Sequence, residues 1–268
     1  MMIGKSLPKI PKRTSLPTNE ICLEVSSLSG EKLDSKEPFK DINFILNKGE
    51  ILGIAGVEGN GQRELTESIL GIYPLSQGTI TVDGINIDNM ATRQRRSLGI
   101  NFIPEDRQTQ GLVMDNSLIE NAMLGRQNKD MYKTKFKSVN FKNSRKFSNK
   151  IIDQYDVRTP NSSTLALALS GGNQQKFVVG RELEDNPSLL VASQPTRGID
   201  IGAQSLIWEE LREARDAGLG VLLISADLEE LLGLSDRLLV MYEGKIVKEL
   251  LPEDATPELL GAYMTGLK

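Results

Sequence analysis

Two glycine-rich stretches have the residue types and spacing needed to handle phosphate. The first reads Gly56-Val57-Glu58-Gly59-Asn60-Gly61-Gln62-Arg63. A buried-type apolar run, residues 51–55, precedes it, and Leu65, Ile69 and Ile72 recur behind it at helical spacing. Strand, glycine loop and helix in that order make a phosphate-binding loop. The glycines let backbone N–H groups turn onto an anion, and the helix N-terminus adds partial positive charge. The pattern G-x-x-x-x-G-K-[ST] is met at Gly56 and Gly61 and then broken. Gln62 stands where the phosphate-binding lysine belongs, and Arg63 where the metal-binding hydroxyl belongs. From this loop alone, an ordinary tight strand-to-helix turn is the competing reading.

The second stretch is Leu169-Ser170-Gly171-Gly172-Asn173-Gln174-Gln175-Lys176. Ser170 is placed to cap a helix whose first N–H groups two glycines leave open to an anion. Further polar clusters follow apolar runs. Residues 189–192 lead into Ser193-Gln194-Pro195-Thr196 and Arg197-Gly198-Ile199-Asp200, and 221–224 lead into Ser225-Ala226-Asp227. Upstream stands Ile103-Pro104-Glu105-Asp106-Arg107. The chain contains no histidine, which excludes Ser-His-Asp and Cys-His catalysis. Its one cysteine, Cys22, excludes an internal disulfide and a two-cysteine zinc site.

The elements that must position these stretches alternate in type. Strand patterns occur at 21–25, 42–46, 51–55, 79–82, 85–87, 99–103, 189–192, 221–225, 237–242 and 245–250. Helical patterns follow Gly61 and Gly172, pass through Trp208 to Ala217, and restart at Leu228; a polar, helix-prone stretch covers 117–155. Alternating strands and helices predict an α/β domain on a largely parallel sheet, with hairpins near both ends adding a smaller antiparallel layer. The chain has 268 residues, 39% hydrophobic and 25% charged, an ordinary globular balance. Its apolar runs fall short of the roughly 18 residues a membrane span needs, and lysines break up the opening residues, so no signal peptide is read there. Residues 1–18, with Pro8, Pro11 and Pro17, read as a linker.

Net charge is −4, which argues against a nucleic-acid partner, but the charge is uneven. Between 126 and 150, Arg126, Lys129, Lys133, Lys135, Lys137, Lys142, Arg145, Lys146 and Lys150 accompany one acid, Asp130. A solvated helical face is the simpler reading; contact with anionic lipid or an acidic loop of a membrane subunit is the alternative. Phe136, Phe141 and Phe147 read as core of that region, and Trp208 as core of its own helix.

In this order the motifs resemble those of the ATP-binding cassette (ABC) ATPases. Residues 169–174 are similar to the LSGGQ signature, Glu105 falls in the Q-loop, residues 197–200 are similar to the D-loop, and Ala226 falls at the switch histidine. The resemblance runs from about residue 19. It is nearest to the second cassette of two-cassette ATPases that drive simple-sugar and nucleoside importers. It implies the P-loop ABC ATPase fold over residues 19–268, with a helical subdomain at about 108–180. Met2-Ile3-Gly4 resembles the chain's own end near Met264 and Gly266, either by chance or as the tail of a preceding cassette.

The departures from the family pattern are systematic. Hydrolysis of ATP needs a lysine on the phosphates, a hydroxyl and an aspartate for Mg²⁺, and a carboxylate for the attacking water. Gln62, Arg63, Ser193, Gln194 and Ala226 stand at those positions and at the switch histidine. Gln194 cannot act as a base near neutral pH, and an arginine at 63 is expected to compete with Mg²⁺. The resemblance thus implies an inert site of its own. Ser170, Gly171 and Gly172 would face the γ-phosphate of ATP held by a partner cassette, with Asp200 at the interface and Mg²⁺ supplied there. Implied partners are a first cassette on the same polypeptide, membrane permease subunits and, indirectly, an extracellular substrate-binding protein, at the cytoplasmic face of the membrane. Phe39 is the nearest candidate for stacking adenine. A non-catalytic nucleotide-binding scaffold, or a soluble ABC protein acting on ribosomes or DNA, are the competing functions.

Overall fold

The computed structural model describes residues 18–32, 38–127, 129–133 and 139–267. The linker read at 1–18 as far as residue 17, with the tail-like Met2-Ile3-Gly4, lies outside them, as do Lys135, Phe136 and Lys137. The described chain forms two compact units. One holds the described residues of 10–102, 187–194 and 211–268, the other those of 103–186 and 195–210.

The first unit contains two sheets. Strands β1 (Ile21–Gly30), β2 (Ile42–Asn47), β4 (Leu75–Val82) and β5 (Ile85–Asn86) form a sheet in the order β2-β1-β4-β5, with antiparallel pairing throughout. In β2 buried and exposed residues alternate, as a strand with one wet face requires. The second sheet runs β10-β9-β3-β8-β7-β6, built from β3 (Ile51–Ala55), β6 (Ile100–Ile103), β7 (Leu189–Ser193), β8 (Gly220–Ser225), β9 (Arg237–Tyr242) and β10 (Lys245–Leu250). Strands β7, β8, β3 and β9 pair in parallel; β10 is antiparallel at the edge. Both β3 and β8 are buried along their whole length, which is why they read as unbroken apolar runs. One hydrophobic core joins the sheets, with Leu23, Phe39, Leu46 and Ile80 meeting Leu52, Ile54, Leu222 and Met241. Helix α1 (Gln62–Ile69) follows β3, and α2 (Thr92–Ser97) sends Arg95 back to the end of α1. There its guanidinium donates to the carbonyls of Ser68 and Ile69 at 2.6 and 2.9 Å, satisfying orphan groups of the last turn.

The second unit carries α3 (Leu118–Asn121), α4 (Phe141–Gln154), α5 (Gly171–Leu183) and the start of α6 (Ile201–Asp216). Helix α7 (Leu228–Leu234) and the terminal α8 (Pro257–Met264) belong to the first. Among the described residues the helix-prone stretch 117–155 is thus not one helix: Gly125 at φ 75 turns the chain after α3, and Asn140 caps α4 afresh. Helices α4 and α5 meet at Gly180, where a Cβ would stand 2.6 Å from the Tyr155 ring.

The basic stretch is not one solvated face. Arg126 is 1% exposed, donating to Glu182 at 2.9 Å and to the Arg181 carbonyl at 2.7 Å, with Asp185 3.0 Å from its Nε. Burial penalises its charge, but Glu182 and Asp185 outweigh this and hold its pKa above the ordinary arginine value. Lys129 pairs with Asp185 and Lys150 with Glu184, so these two and Arg126 are counter-charge for the acidic end of α5, whereas Lys142, Arg145 and Lys146 are exposed on α4. Phe141 is not core, being 53% exposed. Phe147 is half-buried, edge-on to Tyr132. Trp208 is core, 2% exposed.

Candidate functional site

The register of the parallel strands positions the glycine loop and its neighbours. Ala55 at the end of β3 lies opposite Ser225 of β8, and Ser193 at the end of β7 opposite Ile224. The loops carrying Gly56, Gln194 and Ala226 therefore leave one carboxyl edge of the sheet, where open α/β sheets place their ligands. Gly59 and Gly61 have φ of 88° and 98°, a left-handed geometry that glycine adopts without strain. Val57, Glu58 and Gly59 are exposed, and Gly56 and Gly61 are buried. Asn60 fixes the tip: its Oδ1 accepts from the Glu243 N–H at 3.0 Å and its carbonyl from the Gly244 N–H at 3.1 Å.

Gln62 is 7% exposed and folds under its own loop, donating from Nε2 to the Val57 carbonyl at 3.3 Å. A side chain at position 56 would collide with this amide, so Gly56 must be glycine while Gln62 lies there. Arg63 is turned along its own helix. It is exposed, and its Nε donates to Glu67 Oε1 one helical turn on, at 2.8 Å; that bond holds its pKa above the ordinary value. Ser193 is half-buried. Gln194 has φ 49°, and its Oε1 accepts from the N–H of the exposed Ala226 at 3.2 Å. Phe39 has no exposed surface and packs in the core of the two sheets, so its ring offers no face to a base.

The other unit carries the signature stretch. Ser170 occupies the N-cap position of α5 but does not cap it through its hydroxyl: Oγ accepts instead from Asn173 Nδ2 at 2.9 Å. A carboxamide three residues on competes for the hydroxyl, so the first N–H groups of α5 have no side-chain cap. Asn173 is itself held, accepting from the Arg158 N–H at 2.9 Å. Leu169 is buried, and Gln174 donates to the carbonyls of Ala166 and Leu169 at 3.1 and 3.2 Å, pinning the approach to the helix. Gly172 faces Asp200, whose Oδ2 would be 3.0 Å from a Cβ there. Asp200 is exposed and accepts from the Ala203 N–H at 3.0 Å, capping α6.

Glu105 ion-pairs with Arg197, and Arg107 donates to the carbonyls of Arg197 and Gly198 at 2.9 and 3.5 Å. Residues 105–107, 170–173 and 197–200 thus converge within one unit. Sequence reasoning singled out Glu105 and Asp200 but gave no role to Arg107 or Arg197, whose partners are backbone carbonyls and a distant acid; the only sequence signal was a cation directly after Glu105-Asp106.

A family model described as ABC transporter matches residues 39–197. The chain belongs to that ATPase family. It is 42% identical over 270 residues to the guanosine import ATP-binding protein NupO of Bacillus subtilis, covering 99% of this chain and 52% of that protein. It is 40% identical to the glucose import ATP-binding protein TsgD13 of Haloferax volcanii (99% and 48% covered), and 37% identical to the ribose import ATP-binding protein RbsA of Clostridium perfringens (100% and 52%). The chain spans about half the length of these relatives. A nucleotide-free ATP-binding cassette from an ABC transporter superposes with a TM-score of 0.75 at 22% identity, covering 91% of this chain and 99% of that one. An ADP-bound cassette superposes at 0.73 and 23% identity, covering 91% and 98%. These neighbours establish the ABC ATPase fold, an α/β architecture of mixed sheets and helices. In this cassette Gly56, Gly59 and Gly61 line the loop after β3, and neither Ser193 nor Gln194 at the end of β7 offers a carboxylate.

Proposed function

We propose that the chain is one ATP-binding cassette of an importer for nucleosides or simple sugars, and that its own phosphate loop is catalytically silent while its signature completes the ATP site of a second cassette. The observation that carries this reading is the split between its two halves. At the sheet edge every group that chemistry would use is missing or engaged: Gln62 donates into its own loop, Arg63 pairs with Glu67, and Gln194 is bonded to Ala226. In the other unit the N-terminus of α5 begins with Gly171 and Gly172, and its first backbone N–H groups carry no side-chain cap. A head-to-tail pair of cassettes explains why one half can decay and the other cannot.

The partner cassette on this reading lies on the same polypeptide, which the half-length match to the relatives favours. Membrane permease subunits and an extracellular substrate-binding protein complete the assembly, with this chain at the cytoplasmic face. Among the described residues no helix is long and apolar enough to cross a membrane. ATP is the nucleotide, with Mg²⁺ at the partner's site.

The test is ATPase rate in the assembled transporter. Ser170→Arg pushes a bulky cation toward the partner's γ-phosphate and should nearly abolish hydrolysis. Gln62→Ala and Ser193→Ala should leave it close to normal, with folding checked by thermal unfolding. If Gln62→Ala is as damaging as Ser170→Arg, this cassette is not the silent one and the asymmetric reading is wrong.

A further inference from the structure

Arg107 joins three segments that the reading above treats separately. Its Nη1 donates to the Arg197 carbonyl at 2.9 Å and its Nη2 approaches the Gly198 carbonyl at 3.5 Å, so the planar guanidinium spans two consecutive carbonyls of the loop before α6. Gly198 has φ 68°, a left-handed turn that exposes those carbonyls. On its other side the same Nη2 would be 2.6 Å from a Cβ on Gly171. No other contact of Gly171 is as close: the next is Arg107 Cζ at 3.5 Å, then the Gly198 carbonyl at 3.7 Å. The Arg107 guanidinium therefore lies against Gly171, and a side chain at 171 would have to push this mobile end aside. The segment that bears Arg107 is itself anchored, because Asp106 accepts from the N–H groups of Gln108 and Thr109, and Glu105 ion-pairs with Arg197. The Arg107 Nε is buried without an acceptor among the described residues, so the two carbonyls alone orient the group.

We propose that Arg107 is a positioning residue for hydrolysis at the partner's site: it keys the signature glycine to the loop at 197–198, so that residues 105–107, 170–172 and 197–200 present one rigid surface to the neighbouring nucleotide. This rests on the signature serving a second cassette. Hydrolysis there depends on the N–H groups of α5 meeting the transferring phosphoryl group in place, and an error of about 1 Å in such a group can cost 100-fold in rate. Nucleotide affinity comes from the partner's own phosphate loop, which Arg107 does not reach on this reading. The defect should therefore fall on kcat and not on KM.

The experiment compares steady-state ATPase of the assembled transporter carrying Arg107→Ala, Arg107→Lys, Gly171→Ala or the double variant Arg107→Ala/Gly171→Ala, with Ser170→Arg as reference and thermal unfolding as the folding control. Arg107→Ala is expected to lower kcat by about 10-fold to 100-fold with KM for ATP nearly unchanged. Arg107→Lys, which keeps one donor on the carbonyls, should recover part of the loss. Gly171→Ala displaces the guanidinium and should resemble Arg107→Ala, and the double variant should be no worse than either single, because both break one contact. Should Arg107→Ala fail to fold, Arg107→Lys and Gly171→Ala still carry the comparison. Wild-type kcat in Arg107→Ala, fully additive losses in the double variant, or a loss confined to KM would each overturn the role of Arg107 while Ser170→Arg remains inactive. An active Ser170→Arg would instead overturn the reading beneath it.

Discussion

The carboxamide oxygen of Gln194 accepts a hydrogen bond from the backbone N–H of Ala226 at 3.2 Å, bridging the ends of the adjacent parallel strands β7 and β8. Gln194 holds a left-handed φ of 49°, which costs a non-glycine residue roughly 1–2 kcal/mol. The strain is held by a 2.7 Å bond from the Gln194 N–H to the Ile224 carbonyl. Gln194, which the proposed reading puts at the general base position, is thus fixed by the fold and has no carboxylate to take a proton. The isolated chain should release phosphate from ATP at background rate. Gln194→Glu alone should not raise that rate, because Gln62 and Ser193 still leave the phosphates and the metal unheld. Steady-state phosphate release checks this, and turnover by the unaltered chain that disappears in Gln194→Ala would falsify it.

A second consequence concerns the metal. On the proposed reading, with Arg63 turned to Glu67 and no carboxylate at 193 or 194, these positions would give ATP bound to this loop no partner for holding Mg²⁺. Calorimetric titration of the chain should give a weak ATP affinity that Mg²⁺ does not strengthen, and Arg63→Ala should leave it unaltered. An affinity that climbs steeply with Mg²⁺ would contradict the placement of these residues.

How much of this was legible in the sequence depends on how local the cause is. Strands β3 and β8 could be read because a strand buried on both faces is an unbroken apolar run, and the loops at their ends follow directly. Ser170 was legible as an N-cap position, but not its hydrogen bond, because Asn173 competes with the backbone for the same hydroxyl. The charge between residues 126 and 150 misled, since Arg126 finds Glu182 and Asp185 more than fifty residues later. Phe39 precedes the glycine loop at a plausible distance for adenine, but the two-sheet core claims it. Long-range partners left no local trace.

Arg126 gives a stability prediction. Truncating it takes a counter-charge from the buried Glu182 and the half-buried Asp185, leaving Arg181 2.9 Å from Glu182 and Lys129 paired with Asp185. Breaking a buried pair in this way typically costs about 3–5 kcal/mol, against about 1 kcal/mol or less for an exposed one. Urea unfolding of Arg126→Ala should show the larger loss, with the helical unit melting first. A loss at the exposed-pair level would mean that the residue is solvated after all.

Cys22 provides a pH signature. Burial, then the nearby Asp83, pushes its thiol from 9.0 up to about 12, and its Sγ lies 3.1 Å from the Ser188 carbonyl. The folded chain keeps a proton that the unfolded chain gives up above about pH 9. This contribution is therefore complete below pH 9 and is lost as pH rises toward about 12. The gap in melting temperature between the native chain and Cys22→Ala should narrow over that alkaline range, and thiol reagents at neutral pH should label Cys22 only on unfolding. Rapid labelling of the native chain would show the thiol to be accessible.

Asp200 separates a structural role from an interfacial one. Its Oδ1 accepts from the Ala203 N–H at 3.0 Å and its carbonyl from the Gln204 N–H at 2.9 Å, so it starts α6, while Oδ2 is turned toward Gly172. Asparagine can keep the capping bond through its carbonyl oxygen and loses only the charge; alanine loses both. Asp200→Ala should cost about 1 kcal/mol of stability, and Asp200→Asn only the few tenths due to the helix dipole. If Asp200 also lines the contact with a second cassette, both variants should slow ATP hydrolysis in the assembled transporter, and Asp200→Asn would do so while melting almost normally. If instead activity simply tracks stability across the two variants, Asp200 is a helix cap and nothing more, and the interface must be sought among its neighbours at 197–199.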